Sequence, residues 1–182
     1  MKLLYLLLAA TIMLTACGGE KTDTPENNST GDVAMEGLVV LADVQLEKPA
    51  SWTKEEPTSS MRTFQYGVSS SDEAKVIGFY FGGEAGDAES NIQRWKNEFT
   101  SVENEEELEF ADGGIKYVRV DGTFKKKPFP MAQNFEEAPG YTTLAAIVPT
   151  SEGPYYVKLN GPKAEIDKEE ANFIAFLKSY KK

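Results

Sequence analysis

The stretch 141-YTTLAAIVPTSEGPYYVKLNGP-162 decides the predicted fold, because it holds two strand candidates joined by a short turn. Tyr141 to Val148 is mainly apolar and is typical of a strand. Tyr155 to Leu159 alternates in polarity until Gly161-Pro162 stops the pattern. Strands this close in sequence pair as antiparallel neighbours. The sequence therefore predicts an antiparallel hairpin near the C-terminus.

Further strands are predicted upstream from the spacing of apolar residues. They are Leu38 to Leu41, Val44 to Leu46, Phe64 to Val68, Val76 to Phe81 and Ile115 to Val120. Phe64, Tyr66 and Val68 alternate with less apolar neighbours, which indicates a strand with one buried face. The nearly continuous apolar run from Val76 to Phe81 is expected of a central strand covered on both faces. Asp121-Gly122 is expected to end the last strand in this set.

A first helix is predicted after these central strands. Asp87 is a favoured capping residue, and Glu89 suits the first turn. The spacing of three and four residues predicts an apolar face made of Ile92, Trp95 and Phe99. The acidic run Glu103 to Glu109 would follow this helix as a connection.

A second helix is predicted at the C-terminus, with Asp167 and Glu170 in a capping-box pattern. Its inward face would hold Phe173, Ile174, Leu177 and Tyr180. Strands that are mostly neighbours in sequence, with only two helices, imply an antiparallel β-sheet covered by helices. The predicted fold class is therefore α+β.

The N-terminus has the composition of a secretory signal. Lys2 precedes the apolar run Leu3 to Met13, which suits a signal and is too short to span a bilayer. Leu14-Thr15-Ala16-Cys17 resembles the lipobox of bacterial lipoproteins. The resemblance implies that residues 1–16 are removed and that a lipid on Cys17 anchors the protein to a membrane. The alternatives are an ordinary cleavage site beside an incidental cysteine, or a short buried helix.

The remaining organisation follows from composition. Residues 17–34 are predicted to be the lipid anchor and a flexible tether, since residues 18–34 have almost no apolar content. Residues 35–182 have the length of a single globular domain. By resemblance to enteric lipoprotein sorting, Gly18 in place of aspartate points to the outer membrane, facing the periplasm. In a host with one membrane the protein would lie on the cell surface.

Short strands follow the entry Pro49-x-x-Trp52, and then come one mid-chain helix, two late strands and a terminal helix that ends in Leu177-Lys178-Ser179-Tyr180. This order resembles the PsbP-like α-β-α sandwich. More narrowly, Met61-Arg62, Asn91-Ile92-x-Arg94-Trp95-x-x-x-Phe99 and Val157-Lys158-Leu159-x-Gly161-Pro162 are similar to patterns in a family of uncharacterised secreted bacterial proteins. The resemblance covers about residues 45–180 and implies a fold without an established activity. PsbP-like proteins are often accessory subunits or binding modules on membranes, so it also implies a binding role.

Two absences in the composition restrict the chemistry. The chain has no histidine, which excludes Ser-His-Asp and Cys-His nucleophile systems and histidine-ligated metals. Its only cysteine is Cys17, which lipidation would consume, so thiolate chemistry and disulfides are excluded too. The formal charge of −10 argues against nucleic acid and against charge-driven binding to anionic lipid.

Two sets of residues are candidates for a binding surface. Arg62, Arg94 and Lys158 could converge on a small anionic ligand or a partner's carboxylate. The alternative for Arg94 is that its stem covers apolar surface or that it pairs with a carboxylate.

The second set lies in the segment 125–140, which combines Lys125-Lys126-Lys127 with Phe129 and Met131. Irregular segments of this length are often binding elements. The alternative is a loop folded over the sheet with Phe129 and Met131 buried. Its basic character would suit an acidic partner.

The function expected from these observations is that of a non-enzymatic envelope lipoprotein that binds an envelope protein or cell-wall partner. No catalytic residue, cofactor or metal is predicted. The alternative is a small-ligand carrier or a carboxylate-dependent enzyme facing the periplasm. Its candidate acids are Asp112, Asp121, Glu136 and Glu137, but no spacing selects a pair among them.

Overall fold

The computed structural model describes residues 37–82, 86–110, 113–129 and 131–182. The predicted signal, Cys17 and the tether lie outside the described residues. Within the described part, a seven-stranded antiparallel sheet has one helix packed on each face. A separate two-stranded hairpin packs on one side. This arrangement confirms the predicted α+β class with an antiparallel sheet covered by helices.

The elements follow one another along the chain as two hairpin strands, three sheet strands, a helix, four sheet strands and a final helix. They are β1 (Leu38–Leu41), β2 (Val44–Glu47), β3 (Thr53–Glu55), β4 (Arg62–Val68), β5 (Ser71–Tyr80), α1 (Ala88–Lys96), β6 (Phe99–Phe110), β7 (Ile115–Lys126), β8 (Glu136–Val148), β9 (Tyr155–Pro162) and α2 (Lys163–Lys178). The order in the large sheet is β3-β4-β5-β9-β8-β7-β6, and β1 pairs with β2.

Two apolar cores lie on opposite faces of the sheet because side chains alternate along each strand. In β8, Leu144 and Ala146 face α2, whereas Ala145 and Ile147 face α1. The α2 side holds the larger core, which includes Trp52 and Phe173. The layers are therefore helix, sheet and helix.

The β1–β2 hairpin sits at one end of the sheet. Asp43 Oδ1 accepts a hydrogen bond from the Ser151 amide at 2.8 Å, just beyond the end of β8. Gln45 pairs with Lys181 at the C-terminus. The chain thus enters the described domain through a hairpin that contacts the end of the sheet opposite the start of β8.

The acidic run Glu103 to Glu109 is not a connection, which corrects the expectation from its composition. It lies inside β6, a 12-residue strand at the edge of the sheet, whose residues after Phe99 are almost all exposed. Because both faces of this strand meet solvent, neither face requires apolar residues, and glutamates can occupy successive positions.

The expectation that Asp121-Gly122 ends a strand is also wrong. β7 continues to Lys126, with an irregularity in its pairing with β8 just after Gly122. A Cβ at Gly122 would collide with the backbone oxygen of Ser101 in β6. This glycine is therefore required by close strand packing and not by a turn.

The helix boundaries agree in part with the sequence patterns. Asp87 caps α1 and accepts from the Ser90 amide at 2.8 Å, as predicted. Phe99 begins β6, although it still packs in the α1-side core with Ile92 and Trp95.

The capping box predicted for α2 is absent from the described structure, because the helix begins directly after Pro162. The fixed φ of proline suits the start of a helix. Asp167 and Glu170 therefore lie within α2, and both bind Arg119 in β7.

Candidate binding surface

The β7–β8 hairpin projects beyond the rest of the sheet and carries the loop that the sequence singled out. Lys125 pairs with Glu137, and Lys126 pairs with Glu136. These pairings shorten the predicted loop 125–140 to residues 127–135, which we call the hairpin tip. The remainder of the segment lies in β7 and β8, where these glutamates oppose the lysines and the pairing shifts register at Pro139 and Gly140.

The hairpin tip exposes its large apolar side chains. Phe129 is 60% exposed, Met131 83% and Phe135 41%. The amide of Ala132 donates to the Phe129 carbonyl at 3.0 Å, so a local turn holds Phe129 and Met131 outward while Ala132 is buried. The alternative in which Phe129 and Met131 are buried over the sheet is therefore wrong.

Lysines surround the base of the hairpin tip. Lys125 Nζ donates to the Asn97 carbonyl at 2.8 Å and lies 6.0 Å from the ring centre of Phe135. Lys126 Nζ lies 3.4 Å from Glu73. Tyr141 and then Glu73 raise the pKa of Lys126, which keeps the ammonium charged. Lys127 is exposed. The apolar tip therefore stands on a base in which three lysines lie beside Glu73, Glu136 and Glu137.

Arg62, Arg94 and Lys158 lie on the α1 side of the sheet, but each has a partner of its own. Arg62 Nη1 donates to Thr58 Oγ1 and Gln65 Oε1, both at 2.6 Å. The network continues from Gln65 to Glu55, which also pairs with Lys75.

Arg94 Nη2 donates to Asn91 Oδ1 at 2.7 Å, and Arg94 is exposed. Its charge also opposes the rise in the pKa of Tyr156 that burial causes. Lys158 forms an ion pair with Glu98 and lies 5.9 Å from the ring centre of Phe124. The structure therefore gives these three cations a shared face and separate local partners.

Sequence reasoning missed a buried ionic cluster between β7 and α2. Arg119 Nη2 lies 2.6 Å from Asp167, Arg119 Nη1 lies 2.6 Å from Glu170, and Asp121 lies 3.0 Å from Arg119 Nη2. Thr142 Oγ1 also donates to Asp121 at 2.7 Å. The available signal was the alternation of β7, in which Arg119 and Asp121 fall on the same inward face as Tyr117.

The electrostatics of this cluster indicate a structural role. Burial alone would raise the pKa of Asp121, but hydrogen bonds from Thr142 and Arg119 outweigh it and lower that pKa. Burial would lower the pKa of Arg119, and its three carboxylate partners raise it instead. With both groups held charged and bonded to each other, neither is placed to exchange protons with a substrate near neutral pH.

Of the other candidate acids, Glu136 and Glu137 are exposed on β8, and Asp112 lies outside the described residues. A surface groove of about 230 Å³ lies between α1 and β6. It is lined by Glu89, Ile92, Glu107, Leu108, Glu109, Lys116 and Tyr117. This volume is below the roughly 300–1,000 Å³ of typical small-molecule sites.

The described residues contain no group of three or more side chains of the type that could hold a metal ion. Among the helices in the described ranges, none has the length and apolar character needed to cross a membrane.

No protein-family model matches the chain, and neither does any curated protein. Among solved structures, the chain is similar to the solution structure of cyanobacterial PsbP (CyanoP) from Synechocystis sp. PCC 6803. The TM-score is 0.47 at 10% identity, over 92% of this chain and 98% of that chain. It is also similar to PA94, a protein of unknown function from Pseudomonas aeruginosa. Here the TM-score is 0.34 at 12% identity, over 75% of this chain and 89% of that chain.

Proposed function

We propose that this protein is a lipid-anchored envelope protein that acts as a non-enzymatic binding module, and that the hairpin tip is its contact with a partner protein. The observation that carries the proposal is the exposure of Phe129 and Met131 beside a lysine-rich base. Exposed aromatic and methionine side chains are enriched at the centres of protein interfaces. The partner surface would offer an apolar pocket, with an acidic group opposite the exposed Lys127.

The position of the tip favours a protein partner over the membrane that would hold the anchor. The chain enters the domain through β1–β2, next to Ser151 beyond the end of β8, whereas the tip precedes the start of β8. The strand between these ends has 13 residues, which corresponds to about 40 Å. The tip therefore lies at the opposite end of β8 from the β1–β2 hairpin.

Anchoring at Cys17 is part of the same proposal. The supporting observation is the lipobox-like sequence Leu14-Thr15-Ala16-Cys17, and Gly18 favours the outer membrane in a host with two membranes. Mass spectrometry of the mature N-terminus should find an acylated Cys17 as the first residue. An unmodified cysteine, or a chain that begins elsewhere, would contradict the anchor without affecting the hairpin tip.

The binding proposal can be tested by mild crosslinking in the native membranes, followed by gentle extraction and mass measurement. The full chain should carry a reproducible protein partner, and the Phe129→Ser/Met131→Ser variant should lose it. Val40→Ser provides the matched control, because Val40 is also exposed but lies on β1. Equal partner recovery from all three proteins would contradict the proposal.

A further inference from the structure

β6 offers a second surface, which is independent of the hairpin tip. It runs from Phe99 to Phe110 and pairs with β7 on one side only, so its outer edge has no strand neighbour among the described residues. The backbone amides and carbonyls on a free edge can pair with a further strand. A strand of 12 residues is long for an edge, since edges are commonly kept short.

The charge of this edge restricts what can pair with it. β6 carries five glutamates and no basic residue: Glu103, Glu105, Glu106, Glu107 and Glu109. Two lysines lie near them. Lys96 contacts Glu105 at 3.5 Å and Glu107 at 2.6 Å, and Lys116 contacts Glu109 at 3.4 Å. The edge therefore keeps a negative excess.

Repulsion between like charges disfavours two strands that could otherwise pair with the free edge of β6. Pairing of β6 with β6 of a second copy would place one row of glutamates against another. The segment 18–36 of the same chain is acidic as well, with Lys21 as its only base. The glutamates of β6 therefore repel acidic strands, and a basic strand has the complementary charge.

The groove between α1 and β6 gives this edge a specific feature. Its wall on the β6 side contains Glu107 and Glu109, and its wall on the α1 side contains Glu89 and the apolar Ile92. Lys116 of β7 also lines the groove, so three carboxylates there outnumber one ammonium group. A strand added to β6 would lie about 4.8 Å farther out, so only a long side chain would reach the groove. A lysine or arginine fits, because its stem could pack on Ile92 while its charge meets the carboxylates.

We propose that β6 pairs with an extended, lysine- or arginine-rich segment of another protein, with one basic side chain entering the groove between α1 and β6. Addition of a strand to a free edge is a common form of peptide recognition, in which backbone bonds supply affinity and side-chain pockets supply specificity. The exposed Leu108 and Val102 would contact apolar residues of the added strand.

The test uses the full chain and a short capped peptide of alternating lysine and threonine. The same peptide with glutamate in place of lysine is the control ligand. Hydrogen exchange followed by mass spectrometry should show slower exchange in β6 with the lysine peptide only. Glu107→Gln/Glu109→Gln should weaken binding about fivefold, which is the size expected for two exposed charge pairs. Glu56→Gln/Glu152→Gln makes the same change in charge at two exposed acids away from β6 and should bind as the parent does.

Three outcomes would overturn the inference. One is the absence of protection in β6. Another is equal weakening by the two pairs of substitutions, which would indicate attraction to net charge alone. The third is protection at residues 125–136 together with loss of binding in Phe129→Ser/Met131→Ser, which would place the peptide on the hairpin tip. The first two results do not bear on whether the tip binds its own partner.

Discussion

The indole Nε1 of Trp52 donates a hydrogen bond to Glu169 Oε2 at 3.0 Å, and both residues are almost completely buried. Asn172 donates to the same oxygen, also at 3.0 Å. The bond joins the segment before β3 to the middle of α2, while the Trp52 ring packs 5.2 Å from that of Phe176. A buried carboxylate thus fixes the position of the first part of the domain on α2.

Trp52→Phe should lower the free energy of unfolding by about 1–3 kcal/mol, because the buried carboxylate loses a donor. Urea unfolding would measure the change. The matched variant Glu169→Gln removes the charge and keeps the shape. In the double variant the two effects should not add, since both act on one bond. Simple additivity would show that the bond contributes little.

Arg119→Met should destabilise the protein by about 3 kcal/mol, since it removes the cation shared by three carboxylates of which Asp121 is deeply buried. Lys163→Met is the matched control, because it also removes a cation near Asp121 but from a half-exposed position, 3.6 Å away. Its effect should be within about 1 kcal/mol. Equal effects of the two substitutions would contradict the central place of Arg119.

The same cluster predicts how stability depends on pH. The pKa values of Asp121 and Asp167 are lowered in the folded protein, although burial alone would raise both. Hydrogen bonds from Thr142 and Arg119 lower the pKa of Asp121. Hydrogen bonds from Arg119 and Lys163 lower the pKa of Asp167. A lowered pKa gives stability that is complete above the ordinary aspartate value of 3.8. That stability is lost as pH falls through the folded-state pKa. Melting temperatures should therefore fall below about pH 4, and less steeply in Arg119→Met. Equal slopes would contradict the assignment.

Gly122→Ala should cost about 1–3 kcal/mol, because the added methyl group meets the backbone oxygen of Ser101 in β6. Gly114→Ala is the control. Its φ of 62° carries a conformational cost, but no atom lies within 4 Å of the new Cβ. Thermal unfolding should show the larger loss for Gly122→Ala, and the reverse order would contradict the close approach of the strands.

Phe129→Ser/Met131→Ser should leave the free energy of unfolding within about 0.5 kcal/mol of the parent, because both side chains are mostly exposed. Phe124→Ser in the adjoining strand is the contrasting variant. Its ring packs against Phe99 and Tyr141, so a clear loss of stability is expected. Loss of the cooperative melt in the tip variant would show that Phe129 and Met131 belong to the core.

Local patterns in the sequence predicted the fold well where one face of an element is apolar. The helix at Ile92 and Trp95 and the strands Tyr141 to Val148 and Tyr155 to Leu159 were located correctly, because burial imposes a period on their residues. The part of β6 after Phe99 was not predicted as a strand, because an exposed edge strand needs no periodic apolar residues. Gly122 was wrongly predicted to end a strand. A glycine is needed there because β6 and β7 pack closely, and only the strand register reveals this contact.

The candidate binding surface was predictable in composition but not in geometry. Lysines next to Phe129 and Met131 identified the segment, whereas their exposure depends on how far β7 and β8 continue pairing. Convergence of Arg62, Arg94 and Lys158 was one of two interpretations, and each of the three has a local partner in the structure. The partners of Arg119 in α2 could not be found in advance, because Asp167 and Glu170 lie 48 and 51 residues away along the chain.

Photo-crosslinking in living cells tests the proposed role of the hairpin tip most directly. A photoreactive residue would replace Met131, which is 83% exposed, in one protein and Val40 on β1, which is 40% exposed, in another. The Met131 position should crosslink to one protein, Phe129→Ser should remove this product, and the Val40 position should not form it. Crosslinks from the Met131 position to lipid, or the same products from both positions, would contradict the claim that the tip is a protein-binding surface.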